Sequence, residues 1–181
     1  DMPNDRVCLA SREGYDCSDL PGGEVDASAI AAGDLDGDGN VDLVVGHEHH
    51  DGVDGEPLYV RACVGDGGGG FDCGPLYVGE PTGGGPSVIG LELVDVDADS
   101  DLDVIVANDS IENALCRNEG GSVFVCTAIE PEKARTHDLG VGDFDGDGSV
   151  DIYFVNQPTP NRLCLNDGTG SFECIDATEP N

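Results

Sequence analysis

The sequence contains no tryptophan, one methionine and only seven lysine or arginine residues, against 38 aspartate or glutamate residues in 181. The resulting formal net charge of −31 repels phosphate backbones and anionic lipid headgroups. A nucleic-acid partner and a membrane-surface partner are therefore excluded, and cations are the expected partners. No apolar stretch approaches the roughly 18 residues that a membrane-spanning helix requires, so membrane insertion is not expected.

Aromatic residues make up only 5% of the chain, and low aromatic content with high net charge can signal disorder. However, 38% of the residues are apolar, and they occur in short β-branched runs such as 41–45, 102–106 and 150–155. Gly, Asn or Asp bounds each run, and no apolar stripe has the helical period of about 3.6 residues. The sequence therefore predicts a folded, all-β protein.

Internal repeats organise the chain. An acidic cluster occurs three times, beginning at Asp34, Asp95 and Asp143, and each copy runs into an apolar segment. After each cluster follow apolar residues, a cysteine, a Gly-rich turn, a phenylalanine and a closing cysteine. The first residues, 4–17, carry this second unit without an acidic cluster before it. The chain thus holds three complete repeats and an N-terminal half repeat.

The repeat boundaries predict one continuous β domain. Its parts are the half repeat 1–21 and the complete repeats 22–85, 86–130 and 131–181. Each complete repeat supplies about four strands: one enters the acidic cluster, one leaves it, and two form the cysteine hairpin. The entering strands are predicted at 28–32, 88–94 and 138–141. Four antiparallel strands in about 50 residues are the size of one β-propeller blade.

The acidic clusters predict calcium sites. Carboxylates at loop positions 1, 3, 5 and 9 can converge on one cation while a backbone carbonyl at position 7 adds a ligand, and Ca²⁺ prefers such an oxygen-rich shell. The predicted carboxylate ligands are Asp34, Asp36, Asp38 and Asp42; Asp95, Asp97, Asp99 and Asp103; and Asp143, Asp145, Asp147 and Asp151. The predicted carbonyl ligands belong to Asn40, Asp101 and Ser149. Three Ca²⁺ ions per chain are expected, with a structural role.

Other interpretations of these clusters are weaker. A solvated acidic turn would explain one copy but not three copies with the same spacing. An EF-hand closes with a glutamate at position 12, where this chain has Val45, Val106 and Phe154. Mg²⁺ demands near-octahedral geometry and retains several waters, which suits a flexible carboxylate cage less well than Ca²⁺ does.

The segments 33–42 and 142–151 resemble the calcium loops of FG-GAP or VCBS repeats, which form the blades of integrin α-subunit propellers and occur in many secreted bacterial proteins. Segment 161–172 is similar to the second hairpin that this family shares with cartilage acidic protein-like sequences, although Cys164 stands where an aromatic residue is usual. The resemblance implies calcium-binding propeller blades. The middle loop departs from it by having Ala98 and Ser100 instead of glycines, and family propellers commonly have more blades than this chain can supply.

The eight cysteines fall into four local couples: Cys8 with Cys17, Cys63 with Cys73, Cys116 with Cys126, and Cys164 with Cys174. Eight cysteines allow 105 pairings in principle. Directly opposed residues of an antiparallel hairpin lie roughly 4.5 to 5.5 Å apart, which a disulfide tolerates. We therefore expect one disulfide within each hairpin. Free buried cysteines or a zinc site are weaker alternatives, because no couple has Cys-x-x-Cys spacing.

This cysteine usage predicts an oxidising compartment, and hence a secreted or cell-surface location. The sequence has no signal peptide and opens at Asp1 rather than Met. Such a start is expected of a processed mature form or a fragment, so the missing signal peptide does not argue against secretion.

Two further motifs are less specific. The cluster from His47 to His50 offers ligands for a second metal, but neighbouring residues of an extended segment point in opposite directions, so a polar loop is the default interpretation. Asn108 begins an Asn-Asp-Ser glycosylation sequon that is predicted to lie in a loop at a strand end.

Catalysis finds little support, since the chain lacks a nucleophile motif and a phosphate-binding glycine loop. Paired carboxylates can hydrolyse glycosides, but the acidic residues here have metal-ligand spacing, so an enzyme is the least expected function. Two functional hypotheses remain. The first is a calcium-stiffened extracellular structural subunit that assembles head-to-tail with copies of itself, as a filament or a closed ring. The alternative is an adhesion or ligand-binding module, or a fragment of a longer propeller, whose partner is another extracellular protein or a glycan.

Overall fold

A computed structural model describes residues 5–21, 27–47, 60–77 and 87–177. All regular secondary structure in these residues is β. The strands are β1 (Arg6–Ser11), β2 (Gly14–Asp19), β3 (Ala27–Gly33), β4 (Asp42–His47), β5 (Val60–Gly65), β6 (Phe71–Tyr77), β7 (Ser87–Val94), β8 (Asp103–Asp109), β9 (Ala114–Asn118), β10 (Phe124–Ala128), β11 (Thr136–Gly142), β12 (Asp151–Asn156), β13 (Arg162–Asn166) and β14 (Phe172–Asp176). Within the described ranges, no helix is long and apolar enough to cross a membrane.

The strands form three four-stranded antiparallel sheets in which chain neighbours pair: sheet 1 (β3 to β6), sheet 2 (β7 to β10) and sheet 3 (β11 to β14). Strands β1 and β2 form a separate two-stranded hairpin, the N-terminal hairpin. The predicted all-β class and four-stranded antiparallel sheets are confirmed. Each sheet lies within one of the repeats defined by the sequence.

The strands that leave the acidic clusters begin at an aspartate, one residue later than the apolar runs suggest. Asp42 pairs with Gly33, Asp103 with Val94 and Asp151 with Gly142, so each aspartate closes the ladder at the mouth of its loop. These strands also extend past the predicted ends, to His47, Asp109 and Asn156. The strand ends were predicted from apolar residues alone, and polar residues occupy both ends of each of these strands.

The sheets stack in chain order because their middle strands are apolar on both faces. Val104 and Val106 of β8 pack with Val44 of sheet 1 in one cluster. Ile105 points the other way, into a second cluster that contains Ile152 of sheet 3. On the opposite side of sheet 1, a third cluster joins Leu43, Val45 and Cys63 to Leu20, which follows the N-terminal hairpin.

Each hairpin contains one disulfide, so the predicted pairings are confirmed. The bonds join Cys8 to Cys17, Cys63 to Cys73, Cys116 to Cys126, and Cys164 to Cys174. In every case the two cysteines are directly opposed in the strand register. Because each bond closes a short loop, it lowers the entropy of the unfolded chain only moderately.

A buried arginine attaches the N-terminal hairpin to sheet 1. Arg61 in β5 donates to the backbone oxygen of Pro21 at 2.6 Å and pairs with Asp5 at 3.1 Å. Its Nε also donates to Nε2 of the buried His47 at 3.1 Å. Burial lowers the pKa of Arg61 and the neighbouring Asp5 opposes that effect. The bonds of this guanidinium to Asp5 and Pro21 hold the segments on both sides of the hairpin against sheet 1.

Candidate metal sites

Each acidic loop connects the first and second strands of a sheet: loop 1 (34–41), loop 2 (95–102) and loop 3 (143–150). In loop 1, the carboxylate of Asp34 accepts hydrogen bonds from the amides of Gly37 and Gly39 at 2.8 and 2.9 Å. In loop 3, Asp143 accepts from the amides three and five residues later in the same way. The backbone thus wraps around the side chain at position 1.

This wrapping requires left-handed backbone at positions 4 and 6. In loop 1, Gly37 and Gly39 have φ of 78° and 87°. In loop 2, Ala98 and Ser100 adopt the same conformation, with φ of 63° and 79°. The middle loop therefore keeps the backbone path of its neighbours although its side chains disfavour that path, which places conformational strain there.

In each loop the structure brings three of the predicted carboxylates together. One oxygen from every member lies within 4.8 Å of one oxygen from the others. The groups are Asp34, Asp36 and Asp42; Asp95, Asp97 and Asp99; and Asp143, Asp145 and Asp151. Asp38, Asp103 and Asp147, the remaining predicted carboxylate ligands, lie in or beside the same loops but outside these groups.

The residues at position 7, predicted to supply carbonyl ligands, have a regular hydrogen-bond pattern. The amides of Asn40, Asp101 and Ser149 each donate to the carboxylate two residues earlier, at 2.7, 2.9 and 2.7 Å. In loop 1, the Asn40 side chain also donates to Asp38 at 2.8 Å. Both oxygens of Asp38 thus accept hydrogen bonds from Asn40.

The aspartate at position 9 has a second role, which the spacing alone did not indicate. Asp42 is buried and accepts hydrogen bonds from the amides of Leu35 and Gly65, both at 2.7 Å. Asp103 and Asp151 make the equivalent pairs of bonds in sheets 2 and 3. Each side chain thereby ties its own loop to the end of the third strand of its sheet.

Burial changes the electrostatics of loop 2. It raises the pKa of Asp103 to about 6, against hydrogen bonds from Val96 and Asn118 that lower it. Burial raises the pKa of Asp97 most, and the neighbouring Asp99 raises it further. Arg117 opposes both effects. One oxygen of Asp97 is buried without a hydrogen-bond partner. Clustered carboxylates with an unsatisfied buried oxygen fit a hard divalent cation, which would favour their ionised forms.

One asparagine connects loop 1 to sheet 2, and a second connects loop 2 to sheet 3. Asn118, the last residue of β9, donates its side-chain amide to the carbonyl of Leu35 in loop 1 at 2.7 Å. Asn166, the last residue of β13, donates to the carbonyl of Val96 in loop 2 at 2.8 Å. The sequence analysis missed them, although both stand two residues after the first cysteine of a hairpin, and that recurrence could have identified them.

Of the two less specific motifs, the structure describes Asn108 and His47. Asn108 is fully buried inside β8, and its Nδ2 donates to the carbonyl of Glu112 at 2.8 Å. This contradicts the predicted loop position and leaves that nitrogen no space for a glycan in the folded chain. His47 is a buried strand residue rather than part of a polar loop, and His49 and His50 lie outside the described residues.

Part of the chain matches a known family of repeats. Residues 95–154 match the model of the FG-GAP-like repeat family, a segment that runs from loop 2 to β12 and includes both loop 2 and loop 3. The matched segment supports the FG-GAP type of repeat. No curated protein matches the chain.

Proposed function

We propose that this chain is an extracellular, calcium-stabilised structural protein whose propeller-type repeats assemble head-to-tail with other copies, rather than an enzyme. The observation that carries the proposal is the exposure of Phe144. The residue after the first aspartate is Leu35 in loop 1, Val96 in loop 2 and Phe144 in loop 3, and these are 1%, 3% and 51% exposed. The following sheet covers the first two, and a further copy would cover the third.

Calcium is the proposed cation of all three loops. The carboxylate groups that lie within 4.8 Å of one another offer only oxygen donors, which suits Ca²⁺. The first, third and ninth positions of loops 1 and 3, and the first, third and fifth of loop 2, would hold the ion. A bound cation supplies positive charge that offsets repulsion among these carboxylates. The chain itself positions them through amide hydrogen bonds to each first aspartate.

The stacking of the sheets supports a propeller-like arrangement. Strand β7 lies beside both β3 and β11, so the first strands of successive sheets adjoin. Apolar clusters fill the space between sheets 1 and 2 and between sheets 2 and 3. Blades of a propeller pack in this order, with their first strands innermost.

Four disulfides and the absence of free cysteines among the described residues support an extracellular address, because such bonds persist in oxidising compartments. The assembly itself is proposed as a filament, in which unlike end surfaces meet and propagate. A ring of two copies is the closed form of the same contact.

The test is the mass of the native particle. Light scattering after gel filtration, over a range of concentrations, should show masses above one chain in calcium and smaller masses after chelation. Calorimetry should give three Ca²⁺ ions per chain. The triple variant Asp36→Asn, Asp97→Asn and Asp145→Asn is the control, since it should lose calcium and its effect together. A single-chain mass at the highest concentration in calcium would overturn the assembly proposal.

A further inference from the structure

We propose that the head-to-tail contact joins two particular surfaces, and this inference rests on the proposed function. The first is the outer surface of the N-terminal hairpin, formed by Arg12, Tyr15 and the Cys8–Cys17 disulfide. The second is the open face of sheet 3, formed by Phe144, Tyr153 and Val155. Tyr15 of one copy packs beside Phe144 of the next.

The contact is one that the chain already makes twice internally. Between sheets 1 and 2, the Cys116–Cys126 disulfide and Phe124 pack in one cluster with Leu35 and Val44 of sheet 1. Between sheets 2 and 3, the Cys164–Cys174 disulfide and Phe172 pack in one cluster with Val96 and Ile105. At each junction, therefore, a disulfide and an aromatic ring of one hairpin cover the preceding sheet.

Tyr15 occupies the aromatic position of the N-terminal hairpin. Phe71, Phe124 and Phe172 each stand two residues before the second cysteine of their hairpin, and so does Tyr15. The three phenylalanines pack against apolar clusters. Tyr15 is 78% exposed. Val7, on the other side of β1, packs toward sheet 1, so the disulfide and Tyr15 face away from the stack.

The open face of sheet 3 is the matching half of the same junction. Tyr153 and Val155 stand where sheet 2 has Ile105 and Ala107, which are both fully buried. Val155 is exposed, and the ring of Tyr153 lies 6.2 Å from that of Phe144. One chain thus presents, at opposite ends, the two unlike surfaces that meet within it twice.

The turn of the N-terminal hairpin carries a cation, Arg12, next to Glu13. A chain with a net charge of −31 repels its copies unless cations lie at the contact. At the internal junction, the turn residue Gly170 approaches Val96 of loop 2, because a Cβ built on Gly170 would lie 3.0 Å from Cγ2 of Val96. Arg12 is exposed in the equivalent turn of the N-terminal hairpin. In the proposed contact it lies near the carboxylates of loop 3.

The test uses two variants that each block one surface. Tyr15→Asp places a charge in the hairpin surface, and Phe144→Asp places a charge in the open face of sheet 3. Each variant alone should be a monomer in calcium at concentrations where the wild-type chain assembles. An equimolar mixture should form a complex of two chains and nothing larger, because each variant keeps one intact surface. That complex would also show that both variants are folded. Val123→Asp is the matched control, since Val123 is 61% exposed in the turn of an interior hairpin.

Four outcomes decide the matter. Monomeric single variants, a two-chain complex from their mixture and a control that assembles normally support the docking. A single variant that assembles like the wild type, or a mixture that stays monomeric, overturns the docking but leaves assembly itself standing. Loss of assembly in Val123→Asp would overturn the assignment to these two surfaces. A wild-type chain that never assembles overturns the proposed function instead.

A charge variant tests the position of Arg12. Arg12→Glu should weaken assembly about threefold at low ionic strength, the size expected for an exposed ion pair, and high salt should reduce the difference. Arg12→Lys should keep most of the strength. Equal assembly of Arg12→Glu and wild type at low salt would exclude Arg12 from the contact.

Discussion

Asn118 donates its side-chain amide to the carbonyl oxygen of Leu35, 83 residues earlier in the chain, at 2.7 Å. Its side-chain oxygen accepts from the amide of Gly120 at 3.1 Å, so one buried residue holds its own turn and the loop of the preceding sheet. Asn166 repeats the arrangement with Val96 and Gly168. These residues join one repeat to the repeat before it.

Replacing Asn118 by alanine should therefore lower the free energy of unfolding by about 2 to 3 kcal/mol, because the buried carbonyl of Leu35 loses its donor and the turn loses its acceptor. Urea unfolding followed by circular dichroism measures the change. Glu119→Ala is the matched control, since the neighbouring Glu119 is exposed, and it should change the value by less than about 0.5 kcal/mol. Equal effects of the two substitutions would contradict the role given to Asn118.

The loop aspartates should separate into two classes when calcium is removed. Asp42→Asn should destabilise the chelated protein by about 1 to 3 kcal/mol, because the amide group cannot accept from both Leu35 and Gly65. Asp36→Asn should be nearly neutral after chelation, since the hydrogen bond that its side chain accepts from the amide of Asp38 survives the change. In calcium, both variants should be less stable than the wild type.

Thermal unfolding of the wild type and the two variants, in calcium and in excess chelator, measures this difference. An Asp36→Asn variant that is as destabilised in chelator as in calcium would show that its carboxylate acts without a cation. A wild-type melting temperature that is the same in calcium and in chelator would contradict calcium binding by all three loops.

Recurrence made much of the fold predictable from the sequence. The recurring spacing of Cys116 with Cys126 and of Cys164 with Cys174 indicated hairpins with opposed cysteines, and the structure shows both disulfides. What recurrence could not show is which contacts cross between repeats. The recurrence of asparagine two residues after Cys116 and Cys164 marks Asn118 as a repeated position, but its bond to Leu35 depends on the packing of two sheets, which spacing does not indicate.

The candidate sites were predictable to a similar extent. The spacing of the aspartates identified the residues that cluster, but it assigned Asp42 only a metal-binding role. Its bond to the amide of Gly65 joins residues 23 positions apart and forms only when the hairpin of sheet 1 is in place. Likewise, the sequon at Asn108 is a local pattern, and burial of that residue is a property of the whole sheet.

Replacing Ala98 by glycine should stabilise loop 2. Ala98 and Ser100 have φ of 63° and 79°, a conformation that costs a residue with a side chain roughly 1 kcal/mol and glycine much less. Ala98→Gly should therefore raise the free energy of unfolding by about 0.5 to 1 kcal/mol. Gly37→Ala should lower it by a similar amount in loop 1, where φ is 78° and an added Cβ meets nothing within 4 Å.

Gly140→Ala is the control for both substitutions. An added Cβ at Gly140 also meets nothing within 4 Å, and its φ lies outside the left-handed range. Chemical unfolding of the three variants after chelation should give a rise for Ala98→Gly, a fall for Gly37→Ala and little change for Gly140→Ala. A destabilised Ala98→Gly variant would show that the methyl group makes a contact worth more than the strain.

The pH dependence of the metal-free protein should have an unusual sign. Burial raises the pKa of Asp103 to about 6, above the value it has in the unfolded chain. Between about pH 4 and pH 6 the folded state therefore holds a proton that the unfolded state has released. The contribution of Asp103 to stability falls as pH rises through this window, by up to about 1.4 kcal/mol per pH unit, and is constant above it.

Chelated and desalted protein, unfolded in urea at several pH values, should accordingly become more stable on acidification from pH 7 to pH 5. Asp103→Asn should flatten this slope, because the amide does not titrate. Other acidic groups contribute through the high net charge, so the difference between the wild type and this variant isolates Asp103. In saturating calcium the slope should reverse, since cation binding requires ionised carboxylates. Parallel slopes for the chelated wild type and Asp103→Asn would show that Asp103 does not titrate in this range.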